Sequence, residues 1–501
     1  MIPLSVARVA EIVGGTLAGI DPATAGRTLV SGSVEFDSRR IGAGGLFVAL
    51  PGARVDGHDH AAAAVAAGAV AVLAARPVGV PAVVVAPTPG AASRSGVLEH
   101  DTDGSGAAVL AALGKLAAAV AAELAAGGLT IVGVTGSAGK TSTKDMLAAV
   151  LSPLGEVVAP PGSFNNELGH PWTVLRADAG TDYLVLELSA RHRGNIAALA
   201  AIAPPQIGVV LNVGTAHLGE FGSREAIAAT KAELAQAVPE EGVVILNVDD
   251  PAVAAMADQT AARVVRVSRT RPADVWAGPV SLDELARPRF TLTGGGDAVD
   301  VQLQVCGEHQ VDNALCAAAV ALHCGATPAQ VAAALAGAGP VSQHRMQVRE
   351  RGDGVTVIDD AYNANPDSMR AALQALAWIA RPGGKKRRSW AVLGEMAELG
   401  ADAVTEHDRI GRLAVRLDVS RLVVVGVGRS MSAMHHAAVM EGSWGAAADQ
   451  GCVLVADADA ARELLRAELQ PGDVVLVKAS HSAGLTTLAD LLAADPPGAG
   501  R

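Results

Sequence analysis

Four apolar runs in the middle of the chain, each followed by a helical pattern, constrain the fold more than any other feature. They are LTIVGVTG, TDYLVLEL, QIGVVLNV and GVVILNV, and they begin at residues 129, 181, 206 and 242. Short apolar strands that alternate with helices are typical of a parallel sheet, whose ligand loops lie at the carboxyl ends of the strands. We therefore expect an α/β fold with its chemistry along one edge of this sheet.

Three regions show this alternation, and a chain of 501 residues is long enough for three domains of common size. Residues 1–87 have the pattern of a small N-terminal α/β domain. Residues 128–340 form a central domain with a parallel sheet, and residues 341–501 have the pattern of a Rossmann-like α/β domain. Residues 88–127 lie between the first two and indicate a linker or insertion followed by an Ala-rich helix.

Composition and charge exclude several partners. The net charge of −12 is unlike the basic surface of a nucleic-acid-binding protein, so we expect no nucleic-acid partner. Residues 107–126 are apolar over a length that could span a bilayer, but Lys115 and Glu123 interrupt the run, and we predict a globular helix and no membrane span. The N-terminus shows no signal-peptide pattern, which indicates a cytoplasmic protein. We expect a monomer.

The segment IVGVTGSAGKTSTKDML, residues 131–147, has the order strand, Gly-containing turn, Lys-Thr and helix. Glycines allow backbone N–H groups to point at phosphate oxygens, and the helix N-terminus favours an anion. Lys140 is placed to contact the β- and γ-phosphates and Thr141 to bind Mg²⁺. A Gly-rich turn with a solvated lysine is the alternative. The predicted phosphate-binding residues are Thr135, Gly136, Ser137, Ala138, Gly139, Lys140, Thr141 and Ser142.

Two side chains follow the next strands at the same edge of the predicted sheet. Glu187 ends an apolar strand, and a buried carboxylate is costly unless it is paired or binds a metal, so we predict a metal ligand. A solvent-facing glutamate is the alternative. His217 follows the third strand and is predicted to bind a metal or contact substrate, although a lone histidine is more often structural. On its own, Lys231 would be interpreted as a surface lysine.

The loop SFNNELGHP, residues 163–171, carries adjacent polar side chains between glycine and proline. Asn165, Asn166 and Glu167 can present amide and carboxylate groups to a polar substrate. Asn side chains also cap local turns, so the pattern leaves substrate binding and turn capping as equal alternatives.

These motifs resemble the Mur ligases, the ATP-dependent amide-forming enzymes of cytoplasmic peptidoglycan precursor synthesis. TGSAGKT is similar to the TGxxGKT phosphate loop of that family, and LELSARHRGNI, NVGTAHLGEFGSREAIAATKAEL and GEHQVDNALCAAA follow in family order. VIDDAYNANPDSMRAAL most resembles the branch that joins D-alanyl-D-alanine to UDP-N-acetylmuramoyl-tripeptide. The resemblance covers nearly the whole chain, and it implies those two substrates, ATP and Mg²⁺ as cofactors, and an acyl-phosphate intermediate.

The resemblance also implies roles for individual residues. The implied catalytic set is Lys140, Glu187, His217 and Lys231, and the implied metal set is Thr141, Glu187, His217 and Lys231. In this family the lysine that matches Lys231 is carbamylated, which turns a cation into an anion that helps to position Mg²⁺. Asn313 matches an adenine-contacting residue. The third domain is expected to contribute further nucleotide contacts from Arg345, Asp360, Tyr362 and Asn363.

The implied substrate contacts lie in all three domains. They are Ser38, Arg39, Asp56, Gly57 and His58 in the first domain, Asn165, Asn166, Glu167, Ser189 and His192 in the second, and Asn365 and Ser480 in the third. Two positions depart from the family pattern. The VKGSR-like motif is VKASH at residues 477–481, and the usual HN of the third central motif is His309-Gln310.

Two other enzymes and one non-enzyme are alternatives to this interpretation. The first is the sibling Mur ligase that adds the third amino acid, and the second is a folylpolyglutamate-type synthetase. The absence of DNPR and the presence of DDAYNANPDSM argue against both. A P-loop regulatory protein would not need Glu187, His217 and Lys231 together. Diaminopimelate and lysine both remain candidates for the third residue of the tripeptide.

Overall fold

The structure is a computed structural model that describes residues 1–52, 55–87, 98, 100–215, 218–381, 386–442 and 451–494. Within these residues the helices are α1 Val6–Val13, α2 Pro22–Arg27, α3 Ala61–Ala66, α4 Ser105–Ala126, α5 Lys140–Leu151, α6 Gly169–Val174, α7 Asn195–Ile202, α8 Leu218–Phe221, α9 Arg224–Ala237, α10 Pro251–Ala254, α11 Gln310–His323, α12 Pro328–Gly337, α13 Pro366–Ile379, α14 Ala403–Arg416, α15 Arg429–Glu441, α16 Ala458–Glu468 and α17 Thr486–Ala493.

The strands of the same residues fall into four sheets. They are β1 Leu4–Ser5, β2 Thr16–Ala18, β3 Leu29–Val30, β4 Val34–Glu35, β5 Gly45–Val48, β6 Ala69–Ala74, β7 Ala82–Val84, β8 Thr130–Thr135, β9 Val157–Val158, β10 Tyr183–Glu187, β11 Ile207–Val210, β12 Val243–Asn247, β13 Arg263–Ser268, β14 Val275–Ala277, β15 Ser281–Leu282, β16 Pro288–Gly294, β17 Asp297–Gln302, β18 Gln347–Glu350, β19 Thr356–Asp359, β20 Ser389–Leu393, β21 Arg421–Val425, β22 Cys452–Val455 and β23 Val474–Lys478.

The N-terminal region contains a small, mainly parallel sheet. Its strand order is β2-β7-β6-β5-β4, and only β2 is antiparallel to its neighbour. Strands β1 and β3 form a separate antiparallel pair. The strands of the main sheet are short and rich in Val and Ala, and most of their residues are buried between helices on either face.

The central sheet positions the predicted phosphate loop. Its order is β15-β16-β14-β13-β12-β11-β8-β10-β9, and β17 pairs with β16. The four strands predicted from the sequence are β8, β10, β11 and β12, and they pair in parallel, with β8 between β10 and β11. The chain therefore crosses from one side of β8 to the other. Ligands of open α/β sheets bind at such a crossing, outside the carboxyl ends of the strands.

The C-terminal sheet has the order β18-β19-β23-β20-β21-β22 and is parallel except for β18. Its inner strands, such as β21 and β23, are buried on both faces, which explains their continuous Val and Leu runs. Strands β19 and β23 end in Asp359 and Lys478, so their carboxyl ends carry charge to one edge of the sheet.

Helix α4 is the one helix among the described residues that is long and apolar enough to cross a membrane. Sixty-one per cent of its most apolar window is buried, and its residues pack in a core shared by the N-terminal and central sheets. Lys115 interrupts the apolar run and donates a hydrogen bond to the Val13 carbonyl. These features are those of the core helix of a globular domain. Its length and apolar composition are therefore only weak evidence for a membrane span.

The central and C-terminal regions share a hydrophobic cluster. Ala286 and Cys306 of the central region are buried among residues of the C-terminal core, including Met369 and Leu373 of α13. Trp378 of α13 also donates its indole N–H to the Asp283 carbonyl over 2.7 Å. The β15–β16 turn of the central sheet is therefore packed directly onto the C-terminal domain.

Candidate active site

A cleft of about 1340 Å³ lies between the central and C-terminal domains, at the carboxyl ends of the parallel strands. Most of the predicted central and C-terminal site residues line it: Ser137, Ala138, Gly139, Lys140, Thr141, Ser142, Asn165, Asn166, Glu167, Ser189, His192, Asn313, Arg345, Asp360, Tyr362, Asn363, Asn365 and Ser480. Elements far apart in the sequence thus meet at one cleft.

The phosphate loop connects β8 to α5, and its backbone is held by the neighbouring strand end. Asn212 accepts a hydrogen bond from the Ser137 N–H with its backbone carbonyl and another from the Ala138 N–H with its side chain. Gly139 has φ +89°, and a Cβ there would lie 2.4 Å from Asn313 Oδ1, so glycine is required. The side chain of Thr135 is buried and its hydroxyl donates to the Leu188 carbonyl, so this side chain has a structural role within the sheet.

Lys140 lies at the start of α5, and its Nζ donates to the Gly136 carbonyl over 2.7 Å. Burial lowers the pKa of its ammonium to about 8, although the Glu187 carboxylate acts in the opposite direction. An ammonium that has lost its water gains more from a phosphate anion than a solvated one would.

Glu187, at the end of β10, is only 2% exposed, and its two oxygens have different surroundings. Oε2 accepts hydrogen bonds from Thr141 Oγ1 at 3.2 Å, Ser163 Oγ at 3.1 Å and Asn165 Nδ2 at 3.3 Å. Oε1 is buried and has no partner among the described residues. An orphaned carboxylate oxygen beside a threonine hydroxyl is a donor set that fits Mg²⁺, which prefers oxygen ligands.

Lys231 is not a surface lysine. It lies on α9 with 9% of its surface exposed, and no hydrogen bond or ion pair joins its Nζ to a described residue. Burial, with a smaller effect of the Lys140 charge, lowers the pKa of its amine well below the usual value. Lys231 therefore favours the neutral, nucleophilic amine. His217, the remaining predicted metal ligand, lies outside the described residues.

The C-terminal domain brings a group of charged and aromatic side chains to the cleft. The Arg345 guanidinium lies 4.2 Å from the centre of the Tyr362 ring, and its Nη2 is 3.4 Å from Thr141 Oγ1. Lys478 is buried, forms an ion pair with Asp360 and donates to the Asn363 carbonyl at 2.8 Å. Asp360 also accepts from the Met346 N–H. These contacts join the domain-connecting segment to the phosphate loop.

The two departures from the family pattern both lie at the cleft. Gln310 Oε1 accepts a hydrogen bond from Asn313 Nδ2 at 2.8 Å, so it orients the amide of the predicted adenine contact. The ring of His481 lies 5.7 Å from the Tyr362 ring. Ser480 Oγ accepts from the Ala397 N–H and is 3.3 Å from the Ala364 carbonyl.

Two of the predicted substrate residues cap local structure. Asn166 Oδ1 accepts from the N–H groups of Leu168 and Gly169, which is the turn-capping alternative. Asn365 is the N-cap of α13 and forms a capping box with Ser368. Both still line the cleft, but their side-chain oxygens already have backbone partners.

The predicted residues of the N-terminal domain do not line this cleft. His58 is buried, and its Nε2 accepts from the Ala75 N–H, so its Nδ1 carries the proton and donates to Asp56. Asp56 also pairs with Arg76. His58 thus has a structural partner at each ring nitrogen.

The other N-terminal residues lie on or near exposed surface. Arg39 is 87% exposed and pairs with Asp37, whose carboxyl pKa this hydrogen bond lowers to about 2. Ser38 lies next to this pair in the sequence and is half-buried. At Gly57 a Cβ would lie 2.7 Å from the Leu50 backbone, so this glycine serves close packing.

Sequence reasoning missed several residues that contact the predicted set. Ser163, Asn212, Asp367 and Lys478 make the hydrogen bonds that hold Glu187, the phosphate loop, Thr215 and Asp360. Ser163 and Lys478 lie inside quoted motifs and gave a signal. Asp367 also lies inside a quoted motif, VIDDAYNANPDSMRAAL, but the motif did not reveal its contact, because its partner Thr215 is 152 residues away.

The phosphate loop lies where the chain crosses from one side of β8 to the other, and an Arg, an Asp and a Lys of a second α/β domain face it. This arrangement defines a class of multidomain nucleotide-dependent enzymes. Three family models match the chain: "Mur ligase family, catalytic domain" over residues 32–126, "Mur ligase middle domain" over 134–321 and "Mur ligase, glutamate ligase domain" over 344–481. The chain belongs to the Mur ligase family, which confirms the expected family and α/β fold.

Relatives and solved structures agree over almost the full length. A UDP-N-acetylmuramoyl-tripeptide–D-alanyl-D-alanine ligase of Mycobacterium tuberculosis is 74% identical over 99% of this chain and 98% of its own. Its Escherichia coli counterpart is 34% identical over 85% and 86%. The crystal structure of MurF from Acinetobacter baumannii is 29% identical with a TM-score of 0.79, covering 98% of this chain and 99% of its own. MurF from Thermotoga maritima in complex with ADP is 27% identical with a TM-score of 0.72, covering 93% and 97%.

Proposed function

We propose that this protein is an ATP-dependent ligase that joins D-alanyl-D-alanine to UDP-N-acetylmuramoyl-tripeptide in the cytoplasm. The observation that carries the proposal is the single cleft in which the phosphate loop faces Arg345, Asp360 and Tyr362 of the next domain. The names of relatives that match over nearly the whole chain support the two substrates. The ADP complex of a solved relative supports an adenine nucleotide.

The proposed reaction needs an activated carboxylate. A carboxylate is a poor electrophile in water, so transfer of the γ-phosphoryl group of ATP to the tripeptide carboxylate would form an acyl phosphate and ADP. The dipeptide amine, after losing a proton, then attacks the acyl carbon, and the phosphate leaves. The protein must align the two reactants, balance negative charge and exclude water.

The residues of the cleft divide these tasks. The backbone of the phosphate loop and the ammonium of Lys140 hold the β- and γ-phosphates, and Arg345 adds a second cation on the side of the C-terminal domain. Gln310 orients the side-chain amide of Asn313 toward the adenine base of the nucleotide. Because these groups come from two domains, docking of the domains brings them together around the nucleotide.

Thr141 and Glu187 are the residues that would hold Mg²⁺, joined by His217 and Lys231 as the resemblance to the family implies. Bound Mg²⁺ supplies positive charge that stabilises the negative charge developing on the phosphoryl oxygens. The partnerless Oε1 of Glu187 supports this assignment. Ser163 and Asn165 hold the other oxygen and so fix the orientation of the carboxylate.

Carbamylation of Lys231 fits its surroundings. A neutral amine attacks carbon dioxide to give a carbamate and a proton, and burial favours that neutral amine. The product is an anion, whereas an ammonium at this position would repel the charges of Lys140 and Mg²⁺. We propose that the carbamate of Lys231 is the working form of the residue.

The test is an assay of amide product and phosphate release with purified protein, ATP and Mg²⁺. Product and phosphate should form together only when both UDP-N-acetylmuramoyl-tripeptide and D-alanyl-D-alanine are present. Phosphate release without the dipeptide would support a regulatory ATPase. Incorporation of a free amino acid into the dipeptide precursor would support the sibling ligase. Parallel reactions with the diaminopimelate and lysine tripeptides identify the preferred third residue.

A further inference from the structure

Asp367, in the first turn of α13, reaches from the C-terminal domain to the central domain. Its Oδ2 lies 3.2 Å from the backbone N of Thr215 and 3.4 Å from Thr215 Oγ1, both of which can donate to it. Thr215 lies just beyond the carboxyl end of β11, at the edge of the central sheet that carries the phosphate loop. One carboxylate oxygen thus receives two hydrogen bonds across the domain boundary.

The residue before Thr215 connects this contact to the phosphate loop. The Gly214 N–H donates to Ser137 Oγ over 2.9 Å. A Cβ on Gly214 would lie 2.2 Å from Asp367 Oδ2 and 3.3 Å from the Ser137 Cβ, so the glycine allows all three groups to meet. A continuous path of hydrogen bonds and backbone therefore runs from Asp367 through residues 214–215 to Ser137.

A second cross-domain contact lies four residues further along the central chain. A Cβ on Gly219 would lie 2.4 Å from the Gly400 nitrogen, and the Gly219 N–H donates to the Glu398 carbonyl over 3.3 Å. Arg191 also pairs with Glu398 at 2.8 Å. The C-terminal domain consequently touches this edge of the central sheet at two places, one at residues 214–215 and one at Gly219.

We propose that Asp367 is a positioning residue that makes the phosphate loop depend on docking of the C-terminal domain. With the domain docked, Asp367 fixes residues 214–215, and these fix Ser137 and the loop that holds the γ-phosphate. With the domain away, the loop loses that support, so ATP is cleaved efficiently only in the assembled site. The inference rests on the proposed ligase function.

The decisive variants are Asp367→Ala, Asp367→Asn and Gly214→Ala. Asp367→Ala removes the acceptor of both hydrogen bonds, and kcat should fall by about tenfold to a hundredfold, the usual cost of a small misplacement of reacting groups. KM for ATP should change less than kcat. Asp367→Asn keeps an acceptor oxygen of the same shape and should retain most of the activity.

A double-mutant cycle isolates the contact itself. The methyl group of Gly214→Ala displaces the Asp367 carboxylate, so this variant alone should lose activity about as Asp367→Ala does. Adding Gly214→Ala to Asp367→Ala should cost little more, because the displaced group is already gone. Multiplying losses would show that the two residues act independently and would overturn the proposal.

The matched control is Asp459→Ala. Asp459 also lies in the first turn of a C-terminal helix, α16, and its side chain is 85% exposed beside Arg462 of the same helix. This variant removes a similar helix-end carboxylate and should keep wild-type activity. It separates the loss of a cross-domain contact from the loss of a favourable charge at a helix N-terminus.

Hydrogen exchange provides a readout that does not depend on turnover. The backbone amides of Gly214 and Thr215 should exchange faster in Asp367→Ala than in wild type, with the melting temperature unchanged. Wild-type exchange and wild-type kcat in Asp367→Ala would overturn the proposal. If wild type itself makes no amide product, the proposed function fails, whereas the exchange result still decides whether the contact supports the loop.

Discussion

Glu187 Oε2 accepts a hydrogen bond from Thr141 Oγ1 over 3.2 Å, and this contact joins the end of β10 to the start of α5. Ser163 and Asn165 donate to the same oxygen, while Oε1 is buried without a partner among the described residues. A buried carboxylate oxygen without a partner lowers the stability of the free protein. Functional sites commonly retain such costs because a ligand removes them.

Replacing Glu187 with Gln should therefore separate stability from activity. We expect kcat to fall by about a hundredfold or more and Mg²⁺-dependent ADP binding to weaken by about tenfold to a hundredfold. The melting temperature of the nucleotide-free protein should not fall, because the buried charge is removed. Steady-state kinetics, calorimetric titration and thermal melts measure the three quantities. Ser163→Ala, which removes one donor only, is the milder control, and wild-type kcat in Glu187→Gln would contradict the metal role.

Carbamylated Lys231 should be visible without an activity assay. Protein equilibrated with ¹³C-bicarbonate should show a carbamate carbon signal that is missing from Lys231→Ala and present in Lys386→Ala, which alters an exposed lysine paired with Asp418. Lys231→Ala should lose most activity, and acetate or bicarbonate should restore part of it by supplying a small anion. An unlabelled, fully active wild type would show that the free amine is the working form.

The lowered pKa of Lys140 leads us to expect a specific pH dependence of nucleotide binding. Its pKa is lowered in the folded protein from 10.5 to about 8, and phosphates favour the charged form. Above pH 8, ADP binding must therefore take up a proton, and affinity should fall by up to about tenfold per pH unit. Lys140→Arg, which stays charged, should show no such slope. Parallel slopes in the two proteins would assign the titration to another group.

The same shift predicts how the nucleotide-free protein responds to pH. Between pH 8 and 10.5 an unfolded chain holds a proton on Lys140 that the folded chain has released. The contribution of Lys140 to the free energy of unfolding should thus rise with pH across that window and be constant below it. Denaturant titrations of wild type and Lys140→Met should differ by this slope.

Arg39 and His58 should behave differently although the sequence assigns both to substrate binding. Arg39 is exposed, so Arg39→Ala should raise KM for the UDP-linked substrate and leave the melting temperature unchanged. His58→Ala removes the acceptor of the buried Ala75 N–H and should cost about 1–3 kcal/mol of stability. A stable His58→Ala variant with a raised KM would show instead that this ring contacts substrate.

The central parallel sheet and its phosphate loop could be predicted because their signals are local. An apolar strand, glycines and a Lys-Thr pair lie within one short segment, and the helix that follows is specified by its own pattern. Glu187 was found for the same reason, since it ends the next strand. The position of each was predictable once the strands were assumed to be parallel. The role of each predicted site residue stays a prediction.

The contacts that hold these residues could not be predicted, because they depend on the packing of distant elements. Lys478 meets Asp360 across 118 residues through the pairing of β19 with β23. The resemblance to the family implied a substrate role for His58, whereas the fold places the Ala75 N–H, just beyond the end of β6, against its ring. For Lys231 the residue on its own predicted a surface position, because its helix gave no sign of which face would be covered, whereas the side chain is buried.

The buried turn at Ala286 bears on how the chain can be divided for experiments. It fills a gap in the core of the following domain, and Trp378 is hydrogen-bonded to the same turn. A fragment cut near residue 340 would expose the apolar surface around Met369 and Leu373 that this turn covers, and such surfaces promote aggregation. Studies of nucleotide or inhibitor binding should consequently use the intact polypeptide, because residues of the central domain complete the hydrophobic core of the C-terminal domain.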